Sequence, residues 1–114
     1  MPTENLTHII ASKILDSPLN HVSNSRKKVY LKNGDLKGLV QFATVEFRKN
    51  DFIEPHEHKT MIEVFYVERG KVEVTIDNNS FMASAGDVII AKNKHSFKFI
   101  DSTKLVYFGL ENNA

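Results

Sequence analysis

The sequence contains no cysteine, which removes disulfides, thiolate metal ligands and cysteine nucleophiles together. It has no excess of either charge: 15 Lys plus Arg stand against 14 Asp plus Glu, a formal net of +1. No long-range field therefore draws the chain to nucleic acid or to an anionic membrane. The short basic run Arg26, Lys27, Lys28 reads as a solvated loop or strand edge with no function of its own. No apolar run approaches the length that spans a bilayer, and the opening MPTENLTHIIASKIL lacks the basic start, long apolar middle and small-residue cleavage site of a secretory signal. A cytoplasmic protein is expected. Also missing are a Gly-rich phosphate loop, a Ser-His-Asp constellation and a dinucleotide fingerprint. At 114 residues the chain suits one domain with a single core, and hence a single site.

What is present changes character along the chain. Leu6, Ile9, Ile10 and Ile14 fall at helical spacing and predict a short amphipathic helix over residues 5–15. Residues 16–25, DSPLNHVSNS, read as a connection. The helix and connection together form an N-terminal segment, 1–25. His8 and His21, within it, read as surface or packing residues. From residue 26 to 114 the pattern is short runs rich in Val, Ile, Phe and Tyr: KKVYLK, GLVQFATVEF, MIEVFYVERG, KVEVTI, SFMAS, GDVIIA, HSFKFI and KLVYFGL. Turn residues separate them at 33–35, 49–51, 77–79 and 92–94, where Asn, Asp and Gly tolerate a left-handed backbone. Such a pattern predicts an all-β sandwich or barrel.

Alternation assigns faces. Val72, Val74 and Ile76 point one way and Lys71, Glu73 and Thr75 the other, as in a half-buried strand. Residues 61–67 differ: Met61, Glu63, Phe65 and Val67 share one face, and Ile62, Val64 and Tyr66 the other. Both faces are apolar, which predicts that the second is covered by a partner subunit in a homodimer.

Of the five histidines, His56 and His58 stand two apart, so on an extended backbone their imidazoles leave the same side. Glu63 joins them only if a turn at Lys59-Thr60 starts an antiparallel neighbour. A carboxylate in phase with Met61, Phe65 and Val67 needs a partner or a cation. His95 opens the alternating run His95, Phe97, Phe99 and points inward too.

His56, His58, Glu63 and Gly70 fall on the spacing of the first motif of the cupin superfamily, His-x-His, three or four residues, Glu, six residues, Gly, with Asn50 where that motif begins on glycine. The stretch AGDVIIAKNKHSF resembles the second motif through Gly86, Asp87 and His95, although its turn lacks Pro and Gly and is about two residues short. A two-residue deletion preserves side-chain parity. The resemblance, over residues 36–110, implies a double-stranded β-helix, a jelly-roll barrel. It also implies one divalent transition metal, Fe, Mn, Ni, Cu or Zn, held by His56, His58, Glu63 and His95.

Met61, Phe65, Phe97, Phe99 and Tyr107 are the expected pocket walls, with Met61, Phe65, Phe97 and Tyr107 as the substrate-binding set. The expected ligand is a small organic molecule. The resemblance implies oxygenase, isomerase or lyase chemistry, dioxygenase-type first. A non-catalytic module that binds and reports a small ligand or metal is the alternative. A metal-free epimerase-like site with a histidine base and tyrosine acid is the third reading, for which three histidines and a glutamate in ligand register are excessive.

Overall fold

The computed structural model describes residues 6–17 and 26–112. Among the described residues nine strands carry the fold, and eight coincide with the apolar runs of the sequence: β1 (Arg26–Leu31), β2 (Leu39–Phe47), β4 (Met61–Arg69), β5 (Lys71–Ile76), β6 (Asn79–Ser84), β7 (Val88–Ala91), β8 (His95–Phe99) and β9 (Thr103–Glu111). The ninth, β3 (Phe52–His56), is a polar, proline-containing run whose periodicity does not announce a strand. They form two antiparallel sheets, in the orders β1-β2-β9-β4-β7 and β3-β8-β5-β6. Non-sequential neighbours of this kind, with β9 between β2 and β4, are the jelly-roll expected from the sequence.

Local chemistry sets the corners. Asp35, Asp51 and Asp87 each accept a hydrogen bond on Oδ2 from the backbone N–H three residues earlier, at 2.9, 2.7 and 2.9 Å. A short acidic side chain thereby replaces a ladder partner at each turn. Asn50 and Asp77 take the left-handed backbone, at φ 74° and 55°, which these residue types tolerate best after glycine. At Gly70, φ is 101°, and a Cβ there would collide with the Ser102 carbonyl and with Thr103. The β4–β5 corner therefore admits only glycine.

The two inner faces meet in a core of Val67, Val72, Val74, Ile89, Phe97, Phe99 and Leu105, with Phe47 stacked on Phe99 at 3.9 Å between centroids. Register fixes this layering. Val72 pairs with Phe99, Val74 with Phe97 and Ile76 with His95 along β5–β8, so the polar residue arrives at one end of the barrel and the largest apolar one at the other.

The helix expected over 5–15 is reduced, among the described residues, to a 3-10 turn at Ala11–Lys13 with no buried residue. Ile9, Ile10 and Ile14 favour extended backbone, and without a packed face the helical spacing has nothing to drive it. Residue 5 and His21 lie outside the described residues.

Candidate functional site

The site lies at the end of the barrel where β3 stops and β4 starts. His56 closes β3 and His58 follows in the connection. Lys59-Thr60 makes the expected turn, and Glu63 enters on β4 opposite Ala91 of β7 and Gly109 of β9. His95, the first residue of β8, pairs with His56 across the ladder. A reversal of direction after His58 thus brings a residue of the wrong parity onto the same side as the histidines.

Ligand atoms of His56, His58 and Glu63 all lie within 4.8 Å of one another. Glu63 Oε1 is 3.4 Å from His58 Nε2 and 3.4 Å from His95 Nε2, and the His56 and His95 rings are 4.3 Å apart. Glu63 and His95 are buried, at 7% and 2% exposure.

Tautomers follow from the second ring nitrogens. His95 Nδ1 donates to the Asn93 carbonyl at 2.8 Å, and His56 Nδ1 donates to the Glu54 carbonyl at 3.0 Å. Each neutral ring then presents a lone pair on Nε2. His95 Nε2 is buried without a hydrogen-bond partner and faces a carboxylate oxygen, acceptor against acceptor. A positive charge between them is required: a proton or a cation. The electrostatics agree. Burial alone pushes His95 down, but Glu63 and the Asn93 carbonyl outweigh it and raise the net value. His56 is lowered, chiefly by burial and also by its histidine neighbours.

The donor set fits a transition metal. Histidines that ligate metals commonly give their other N–H to a backbone carbonyl, as His56 and His95 do. Two bonds of about 2.0–2.2 Å span at most ~4.4 Å, so small side-chain rotations close the gap between donors.

A cavity of about 180 Å³ adjoins these residues, lined among others by Lys27, Gln41, Ile53, Met61, Phe65 and Tyr107. Of the expected walls, Met61, Phe65 and Tyr107 border it. Phe97 packs edge-on against Phe65 at 5.0 Å and Phe99 lies deeper, edge-on to Phe97 at 6.1 Å. Tyr107 stacks on Phe65 at 5.1 Å. Gln41 Nε2 donates to the Tyr107 hydroxyl at 3.2 Å. Burial, then the Glu63 charge, pushes the phenol well above its ordinary value against that bond. It stays protonated as a donor.

Sequence reasoning missed Lys27 and Gln41. The signal for Lys27 was its phase: it shares one side of β1 with Val29, the two pairing with Val45 and Ala43, whereas Arg26, Lys28 and Tyr30 line a separate outer groove. Gln41 carried no signal, since a bulge between Leu39 and Gln41 shifts the alternation just there.

The model of the cupin domain matches residues 43–108. The chain is a cupin. No curated protein sequence matches it, so its kinship is legible at the level of fold and family. The cupin superposes on KdgF from Halomonas sp. with a TM-score of 0.78 at 18% identity, over 96% of this chain and 96% of that one. It matches an RmlC-like cupin from Shewanella frigidimarina NCIMB 400 with a TM-score of 0.77 at 14% identity, over 95% and 94%. Ectoine synthase from P. lautus gives a TM-score of 0.77 at 13% identity, over 92% of this chain and 78% of that one.

Proposed function

We propose that this cupin holds one divalent first-row metal ion through His56, His58, Glu63 and His95 and acts on a small organic molecule in the adjoining cavity. The observation that carries the reading is the pair of imidazole nitrogens, one of them buried and unpartnered, each 3.4 Å from the same Glu63 oxygen. A bound ion would relieve the lone-pair conflict between His95 Nε2 and Glu63 while engaging the His58 nitrogen beside them. The donor set suits Fe, Mn, Ni, Cu or Zn.

When bound, such an ion supplies Lewis acidity, an activated water or, as iron, oxygen chemistry. Oxygenase, isomerase and lyase reactions are the classes this serves, dioxygenase-type first. The chain's own residues do the rest: Phe65, Met61 and Ile53 exclude water from the cavity, and the protonated Tyr107 hydroxyl orients the bound molecule. The shared fold of an ectoine synthase supports an enzyme acting on a small molecule.

Elemental analysis of protein purified without added metal tests the reading. About one equivalent of a transition metal is expected, with Glu63→Gln weakening its retention less than His56→Ala. Wild-type protein that neither carries nor takes up Fe, Mn, Ni, Cu or Zn overturns it.

We also propose that a second copy of this chain covers the outer face of the larger sheet. Across β9-β4-β7, Ile62 pairs with Leu110, Val64 with Ile90 and Tyr66 with Val88, and Tyr66, Val88, Ile90 and Leu110 are 45, 57, 51 and 40% exposed. A contiguous apolar strip beside the short edge strand β7 is an adhesive surface unless occupied. Sedimentation showing monomer alone at working concentration would refute this.

A further inference from the structure

The basic run of β1 divides between the two faces of its sheet. Arg26 pairs with Asp16 at 3.2 Å on the outer side, where Lys28 also lies. Lys27 turns inward and lines the cavity of the candidate site. Its ammonium stands 5.9 Å from the centroid of the Tyr107 ring, and among the described residues it forms no ion pair. A lysine is a strongly hydrated point charge, and turning one into an aromatic-walled cavity without a contacting counter-charge has a cost that the fold itself does not repay. Beside it, the Tyr107 hydroxyl accepts from Gln41, leaving its own hydrogen for another acceptor. Two donors, one of them cationic, thus line the same cavity, and neither donates to a protein acceptor in the hydrogen bonds and ion pairs of the described residues.

We propose that Lys27 and Tyr107 form a carboxylate receptor, and that the small molecule of this pocket is an organic acid whose carboxylate seats between the Lys27 ammonium and the Tyr107 hydroxyl. Its other end then lies beside His56, His58 and Glu63; only this second half rests on the metal reading above. A cation, one carboxylate and one ammonium leave the pocket net positive, which favours an anion. One ammonium and one hydroxyl match the two oxygens of a carboxylate, whereas a phosphate brings more charge and three acceptor oxygens. The cavity, about 180 Å³, holds about six water volumes of ~30 Å³ each. That suits an acid of a few carbons.

The test is calorimetric titration of full-length protein, metal-stripped and loaded with Zn(II), with glycolate, pyruvate, lactate and 2-oxoglutarate. Methyl pyruvate serves as the uncharged control and inorganic phosphate as the competing anion. At least one acid should bind the loaded protein, with Lys27→Met weakening it by about tenfold or more. Lys27→Arg should restore part of the affinity, and metal content should be equal in all three proteins. Unchanged acid affinity in Lys27→Met, an ester that binds as well as its acid, no binding of any acid, or phosphate binding more tightly than every acid overturns the proposal. The two readings separate cleanly. If the wild type takes up no metal yet binds an acid through Lys27, the metal reading fails and the receptor stands. If metal is held and acids ignore Lys27, the receptor alone falls.

Discussion

The two ends of the barrel are built from the same strands and obey opposite rules. β8 carries His95 at one end and Phe99 at the other, and β4 carries Glu63 and then Val67. At the closed end Val67, Val72 and Phe99 are fully buried. Even Thr103, buried with them, donates its hydroxyl to the Asp101 carbonyl at 2.8 Å. At the open end a buried imidazole nitrogen has no hydrogen-bond partner and a lysine faces aromatic rings. β4 and β8 run through both regions, so the contrast lies chiefly in the side chains they present. One end collects the burial free energy that holds the barrel, and the other holds the polar groups that the proposed metal and acid would engage.

Substitutions should therefore separate the ends. Phe99→Ala removes a fully buried ring stacked on Phe47 and should lower unfolding free energy by about 3–5 kcal/mol, read from urea titration. Gly70→Ala forces a Cβ into the Ser102 carbonyl at a positive φ and should cost about 2–3 kcal/mol. At the open end, His58→Ala should abolish metal retention after desalting while changing the stability of metal-free protein by less than about 1 kcal/mol. A loss of stability in His58→Ala as large as that in Phe99→Ala would erase the distinction between the two ends.

The closed end was the more legible in the sequence because burial imposes a period. Val72, Val74 and Ile76 announce their face without help, and the Asp- and Asn-rich turns announce the corners. The histidines and Glu63 were legible for another reason: a carboxylate in phase with Met61, Phe65 and Val67 conflicts with burial and so demands a partner. β3 escaped because its run FIEPH pairs at a sheet edge and needs no alternation. The N-terminal helix was misread because helical spacing over three isoleucines and a leucine has meaning only when a surface receives it. Lys27 was hidden by its neighbours: two outward-facing basic residues made the run look like solvated surface, although Lys27 shares its side of β1 with Val29.

Lys27 gives the finest test of the contrast, because a residue kept for a ligand should harm the protein that lacks one. Burial lowers its pKa from 10.5, and the Glu63 charge offsets this in part. With a folded value below the unfolded one, the native state sheds its proton first as pH rises. Between the two values the unfolded chain binds more protons, so stability increases with pH. The cost of the half-buried ammonium, reduced by solvent screening, is fully present below the folded value and gone above 10.5. Replacing it by methionine keeps the apolar stem and removes the charge. Metal-free Lys27→Met should therefore melt about 2 °C above wild type near neutral pH, and the gain should shrink toward zero as the buffer approaches pH 10.5. Paired melting curves across that range cancel the titration of every other group. A variant that melts below wild type at neutral pH would mean that the ammonium stabilises the fold through the Tyr107 ring, making Lys27 part of the scaffold rather than of the site.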